Sequence, residues 1–543
     1  MDQAFFRSKK VLVIDDCAPV RATIKGMLQL MGFDAIFMAK DADEAITACH
    51  ELPFDLILCD FNLGQCKDGY QLFEYLKDSQ LLAPLCCFIV ISAENQRQIV
   101  HGLIELQPDD YLLKPFSQPA LIERISRAML QKRALRKVFF ALFEQDYQAA
   151  IDECDLLLKQ KTEHSLMLLR LKGELLLKQK RYSDAERFYQ AVQKQKNYNW
   201  ARLGYALCCF YLQRWEDTEL ELADLTQFSD TKVEALDWLS RLYLRHGRYQ
   251  LAYDSLLQAS LLSPKNISRQ QNLSLISALL QDFPAAARIR GKIVQFARYS
   301  KDDTPDNYLN YARALVDQAQ DLNLLEKTVQ LQNASKSLDE LHKRFNPEQL
   351  QQAIGILRSR MLSAKAQLKD ARQQLQHISM ADIQQLSVDT CLDALKAYYQ
   401  LGDLYACELC IARLDALLQG QDYLTETQRI LLTFEQQKHD QLKQQLKQIN
   451  SEATDAYQQG LYGRAVMLFC ETLDFMPTNP MVALNVLQSM SKAAGLTSET
   501  LPYAKQAAKV LRQQELPSKE QARFERYVSV LKSQQPALAQ VPL

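Results

Sequence analysis

Leu56-Ile57-Leu58-Cys59-Asp60-Phe61-Asn62-Leu63 is a short apolar run that ends in a carboxylate and breaks into a polar loop carrying Gly64, Lys67, Asp68 and Gly69. A strand buried on both faces of a parallel sheet reads this way when its C-terminal end carries a functional group. Similar runs lie on either side of it. Val11-Leu12-Val13-Ile14 ends in Asp15-Asp16, Phe88-Ile89-Val90-Ile91 ends in Ser92-Ala93, and Tyr111-Leu112-Leu113 ends in Lys114-Pro115. Ala35-Ile36-Phe37 adds a fifth strand. Helical spacing fills the gaps: Val20, Ile24, Met27, Leu28 and Met31 before Gly32; Ala42 to Leu52 behind the cap Asp41; Gly69 to Lys77; about Gln96 to Leu106; and a last helix after Ser117. Five strands alternating with five helices predict an α/β doubly wound parallel sheet.

In such a sheet the C-terminal strand ends share one edge, where ligands bind. Asp15, Asp16, Asp60, Ser92 and Lys114 all fall there. Three clustered carboxylates repel unless a cation sits among them, and a hard cation with oxygen ligands, Mg²⁺, suits the set. Lys114 cannot ligate that ion, but it suits pairing with a phosphoryl group on Asp60, and the Ser92 hydroxyl can donate to the same group.

These residues, with Tyr111 three places before Lys114-Pro115-Phe116, make residues 9–131 strongly resemble a response-regulator receiver domain of the chemotaxis CheY type, a flavodoxin-like fold. The resemblance implies Asp60 as phosphoacceptor from a sensor histidine kinase or phosphotransfer protein. It implies Asp16, Asp60 and the Asn62 carbonyl as direct Mg²⁺ ligands, with Asp15 acting partly through water. It makes Ser92 and Tyr111 a switch pair and places Asn62 and Glu94 where dephosphorylation is tuned. The loop after Asp60 departs from the family: it reads Leu63-Gly64 in place of Met-Pro and is one residue longer before Gly69. A degenerate receiver that never sees phosphate is the bland alternative.

Past residue 131 the strands stop. Tyr147/Ala150, Tyr182/Ala185, Trp215/Thr218, Tyr249/Ala252 and Phe283/Ala286 repeat an aromatic followed three residues on by a small residue, at a period near 34, and Gly173, Ala206 and Ser240 stand nine places before three of those aromatics. Small residues let paired helices approach while large rings fill the groove to the next pair. The pattern resembles the tetratricopeptide repeat (TPR), which implies an all-α helical solenoid with a groove for a protein or peptide ligand. Register fades over 301–390 and returns at Leu404/Cys407 and at Tyr462/Ala465, with Phe469 and Pro477 in the expected places. The expected organisation is a tail over 1–8, the receiver over 9–131, about five repeats over 132–300, divergent hairpins over 301–390, further repeats over 391–490, and C-terminal helices with a tail over 491–543.

Composition bounds the function. Lys plus Arg number 64 against 65 Asp plus Glu, so neither nucleic acid nor an anionic membrane is the expected partner. No apolar run approaches the roughly 20 residues of a membrane span, and Met1 to Lys10 has no signal-peptide core. The 13 cysteines scatter through apolar stretches, as in a reduced, cytoplasmic protein. Cys407 and Cys410 form a CxxC with no second pair, and read as helix-core residues. The basic segment Gln131 to Lys137 reads as a linker helix continuing the receiver's last helix, so that the face of the fourth helix, fifth strand and fifth helix would carry the signal onward. The whole points to a signalling adaptor rather than an enzyme, with receiver dimerisation as a second output route. A transcriptional regulator is the alternative class, but no basic helix-turn-helix pattern follows the receiver.

Overall fold

The computed structural model describes residues 3–64, 67–93, 105, 107–160, 163–475, 479–493, 497, 499–512 and 516–534. The chain folds as two compact units, Met1–Asn307 and Tyr308–Leu543.

The first unit opens with the expected sheet. β1 (Lys10–Ile14), β2 (Ala35–Ala39), β3 (Leu56–Asp60), β4 (Cys87–Ser92) and β5 (Asp110–Leu113) are all parallel, in the order β2-β1-β3-β4-β5. Alternation along each strand feeds two cores. Val11, Val13, Leu56, Leu58, Ile89 and Ile91 pack with Ile24, Leu28, Leu121 and Ile125 on one face. Leu12, Ile14, Ile57, Cys59, Phe88 and Val90 pack with Ala45, Leu72, Phe73 and Leu76 on the other. Asp41 caps the helix Ala42–Glu51 by accepting from Glu44 N at 2.9 Å, and Gly32 closes Ala18–Met31 in the left-handed region at φ 100°. The fourth expected helix lies, apart from Glu105, outside the described residues.

The last receiver helix, Gln118–Ala134, does not run on as expected. It stops at Leu135, and a new helix, Arg136–Phe143, follows. The turn has a packing reason: it carries Leu135 and Val138, both essentially unexposed, into the core of the first helix pair with Ala150 and Ile151. Within the basic segment Lys132 pairs with Asp109 at 2.9 Å and Arg133 lies 5.3 Å over the Phe5 ring, while Arg133, Arg136 and Lys137 remain exposed.

Beyond it the chain is a succession of helix pairs with one recurrent turn. Gln145, Lys180, Gln213, Gly247, Gln281, Ala366, Gly402 and Gly460 all take positive φ, between 58° and 79°. Two residues after each, a second helix opens: at Tyr147, Tyr182, Trp215, Tyr249, Phe283, Leu368, Leu404 and Tyr462. Three residues further on, Ala150, Ala185, Thr218, Ala252, Ala286, Ala371, Cys407 and Ala465 are at most 4% exposed. The left-handed residue satisfies the first helix's terminal carbonyls and sets the pair antiparallel. The turn at Ala366 shows that 351–375, where the sequence register fades, is the same kind of hairpin. Ser240 and Ser274, nine places before Tyr249 and Phe283, donate across the pair to the carbonyls of Ala252 at 2.6 Å and Ala286 at 3.3 Å.

The second unit has its own cores, one around Ile356, Leu395 and Leu414 and another around Phe469, Leu487 and Leu511. It also buries charge. Arg360, 1% exposed, bonds to Asp317 and Asp393 at 2.5 Å each, while Lys396 holds the other Asp317 oxygen at 2.9 Å. Cys407 and Cys410 are buried in the helical core. No helix among the described residues is long and apolar enough to cross a membrane.

Candidate functional site

β1 and β3 are neighbours from which the chain departs to opposite sides of the sheet, and ligand crevices form at such switch points. Asp15 and Asp16 follow β1, and Asp60 closes β3. Their carboxylate oxygens lie within 4.8 Å of one another. Asp15 is 1% exposed, Asp60 is 9% exposed, and Asp16 faces solvent. Lys114 enters from β5 and spans two of the three, with Nζ 2.8 Å from Asp15 Oδ2 and 3.0 Å from Asp60 Oδ1. The Cys17 amide donates to the remaining Asp15 oxygen at 2.8 Å.

Electrostatics follow from this packing. Burial raises the Asp60 carboxyl above its ordinary value, and the Lys114 ammonium offsets only part of that rise. Burial works against the charged Lys114, but its hydrogen bonds to Asp15 and Asp60 outweigh it, and the ammonium is held above the usual lysine value. One ammonium against three carboxylates leaves the notch anionic. Three carboxylates at this separation, open on the Asp16 side, fit a hard cation such as Mg²⁺, which takes oxygen ligands and keeps several waters.

Ser92 ends β4, 1% exposed, and its carbonyl accepts from Lys114 N at 2.7 Å, so the strand register places both side chains at the sheet edge. Tyr111 lies partly buried on β5, against the core that contains Phe73 and Phe88. Asn62 is exposed on the loop, its Oδ1 accepting from Gly64 N at 3.4 Å. Gly69 is required: a Cβ there would sit 2.4 Å from the Asp60 carbonyl oxygen. Glu94 lies outside the described residues. The four side chains Asp15, Asp16, Asp60 and Lys114 are thus brought together at one edge of the sheet.

Nothing in the sequence signals what grips this region. Asp68 caps the helix Gly69–Asp78 through Gln71 N, at 2.9 Å, and its other oxygen pairs with Lys265 of the helical region. The Lys265 ammonium lies 5.1 Å over the ring of Phe61, the residue after Asp60. Gln71 Nε2 donates to the Phe296 and Arg298 carbonyls, both at 3.2 Å. Lys301 pairs with Asp78 at 2.5 Å and Glu74 at 3.6 Å. Arg269, 4% exposed, pairs with Glu105 at 2.5 Å, and Ser263 Oγ donates to the same carboxylate at 2.8 Å. The helix after the Asp60 loop is therefore a principal docking element, while the fourth helix, part of the face expected to carry the signal onward, lies outside the described residues apart from Glu105.

Residues 11–126 match the family described as response regulator receiver domain. This segment is a response regulator receiver domain. The phosphate regulon transcriptional regulatory protein PhoB of Escherichia coli is 32% identical to it over 122 residues, 22% of this chain and 52% of PhoB. The protein CcdB of Bacillus subtilis is 30% identical over 120 residues, 22% of this chain and 97% of CcdB. A solved structure of the chemotaxis response regulator CheY4 of Vibrio cholerae aligns at 22% identity over 22% of this chain and 98% of that one, with a TM-score of 0.21. The chain spans about half the length of PhoB and of the other regulators it first matches. The receiver domain marks the chain as a two-component response regulator, and a long all-helical region follows it.

Proposed function

We propose that the receiver accepts a phosphoryl group on Asp60 from a sensor histidine kinase or phosphotransfer protein, and that this charge controls a tetratricopeptide-type, protein-binding array. The observation that carries the reading is Lys114 held between Asp15 and Asp60, at 2.8 and 3.0 Å, beside Asp16. An Asp60 carboxylate oxygen attacks the phosphorus of a phosphohistidine; a P–O bond forms, the P–N bond breaks, and the imidazole leaves with the electron pair and takes up a proton. Lys114 transfers its pairing to the new phosphoryl oxygens, and Ser92 donates its hydroxyl to one of them. Mg²⁺, held by Asp16, Asp60 and the Asn62 carbonyl with Asp15 partly through water, would neutralise charge on those oxygens. Ser92 and Tyr111 are the switch pair, and Asn62 and Glu94 tune hydrolysis.

The grip of the repeats on Asp68, Gln71 and Asp78 supports coupling, since the added charge arises one residue from Phe61. Two arrangements of that contact, biased by phosphate, make a population shift sufficient. The recurrent helix pairs support an adaptor role, in which the groove takes a peptide or helix of a cytoplasmic partner. Beryllofluoride titration of the full chain tests the reading. Saturable, Mg²⁺-dependent binding that disappears in Asp60→Ala is expected; binding without Mg²⁺, or unchanged in Asp60→Ala, rejects it.

A further inference from the structure

The loop that follows Asp60 is closed on itself by its backbone and braced from outside the receiver. At its start Phe61 is buried, and the Phe61 carbonyl accepts from Gly69 N at 2.8 Å, which ties residue 61 to residue 69. Gly64 takes φ 89°, and a Cβ there would lie 3.9 Å from Asp16 Oδ2, so the loop passes beside the acidic notch. At its end stands a reciprocal cap: Gln71 N donates to Asp68 Oδ1, and Asp68 N donates to Gln71 Oε1 at 3.1 Å.

The helical region holds both members of that cap. Gln71 Nε2 donates to the Phe296 and Arg298 carbonyls, and Lys265 Nζ pairs with Asp68 Oδ2. Lys265 also reaches the beginning of the loop, 5.1 Å over the Phe61 ring. It stands in the turn between the helices Tyr249–Leu262 and Ile267–Leu279, and that turn is itself fixed. Gln270 Nε2 donates to the Pro264 carbonyl at 2.9 Å, and Asn266 Oδ1 accepts from Arg269 N at 3.0 Å. A rigid element of the helical region therefore presents one ammonium to the first residue of the loop and to its last.

Asn62 lies between those two points. On the reading proposed above, its carbonyl is a Mg²⁺ ligand. A backbone carbonyl ligates only while its loop holds the competent conformation, and apparent affinity falls with the fraction of chains that hold it. We propose that Lys265 is a positioning residue for the receiver's metal: by bracing the loop at both ends, the helical region sets the Mg²⁺ affinity of the notch. This rests on the reading of Asp60 as the Mg²⁺-dependent phosphoacceptor.

The test is a calorimetric titration of the full chain with Mg²⁺, beside labelling by acetyl phosphate over the same Mg²⁺ range. In Lys265→Ala, Mg²⁺ affinity should fall roughly three- to fivefold, about what a partly exposed ion pair can supply. Labelling should slow at low Mg²⁺ and regain the wild-type rate at saturation, and Lys265→Arg should keep most of the affinity. Lys301→Ala is the comparison. It gives up the pairs with Asp78 and Glu74, towards the far end of the same helix, and should leave Mg²⁺ affinity in place. Equal affinity in Lys265→Ala and wild type, or an equal fall in Lys301→Ala, overturns this inference, while normal labelling of the wild type leaves the Asp60 reading standing. A wild-type chain that takes no label at any Mg²⁺ concentration overturns both.

Discussion

Asp68 divides its carboxylate between two tasks: one oxygen caps its own helix through Gln71 N, and the other pairs with Lys265, 197 residues away. The cap that ends the loop after Asp60 is thus also the residue the helix pairs hold. Any rearrangement of that loop must either keep both bonds or give up the long-range one.

Lys265→Ala should loosen this hold. The pair is partly exposed, Lys265 at 35% and Asp68 at 22%, so the change should cost at most about 1 kcal/mol. Hydrogen exchange of the helix Gly69–Asp78 should rise a few-fold, and a double variant with Arg269→Ala should raise it further, because Arg269 holds Glu105 independently. Exchange unchanged in the double variant would show that the contact does not restrain the receiver.

Lys114→Met should separate metal binding from phosphoryl chemistry. The ammonium competes with a cation for Asp15 and Asp60, so its removal leaves the carboxylates less compensated. Mg²⁺ affinity, read by calorimetry, should rise about tenfold, which corresponds to about 1.4 kcal/mol. Labelling by acetyl phosphate should fall sharply. Weaker Mg²⁺ binding in the variant would contradict the shared notch.

Gly204→Ala should destabilise the first unit. A Cβ at 204 would meet the Tyr189 ring at 2.1 Å, and Tyr189, 2% exposed, cannot retreat, because Gly173 stands against the same ring. Overpacking of this kind costs about 1–3 kcal/mol. All three tryptophans, Trp200, Trp215 and Trp238, lie in the first unit, so tryptophan fluorescence reports its unfolding midpoint alone. Tyr189→Leu in the same chain should recover part of the loss.

What the sequence made legible was what local spacing records. Asp60 stood out because a buried strand and its loop are contiguous, and the helix pairs because Tyr182 or Trp215 opens a helix at a fixed distance from its neighbours. The hairpin at 351–375 escaped because Leu368 stands where most of the other helix pairs carry an aromatic, and no Gly-Asp turn marks it as Gly402-Asp403 marks Leu404, although the Ala366 turn has the same backbone, φ 60°. The break at Leu135 was hidden because its cause is burial against residues of the next module. Lys265 with Asp68, and Arg269 with Glu105, join positions far apart in the chain, and a charge that pairs at long range looks in sequence like any surface charge.

Asp317 gives the second unit a predictable acid sensitivity. Burial opposes its charge, yet Lys396 and Arg360 hold its carboxyl down at about 2, from an ordinary 3.8. The unfolded chain therefore takes the proton first. The contribution, about 2 kcal/mol, is complete above the unfolded value and is lost as pH falls from about 4 to about 2. Asp317→Asn should remove that slope and, by leaving Lys396 without this partner and Arg360 with Asp393 alone, should lower stability at pH 7 by about 3–5 kcal/mol. Far-UV circular dichroism should show the helical loss of the second unit moving to lower denaturant while the tryptophan signal of the first stays in place. An unchanged pH slope in the variant would mean that Asp317 is not the group that titrates.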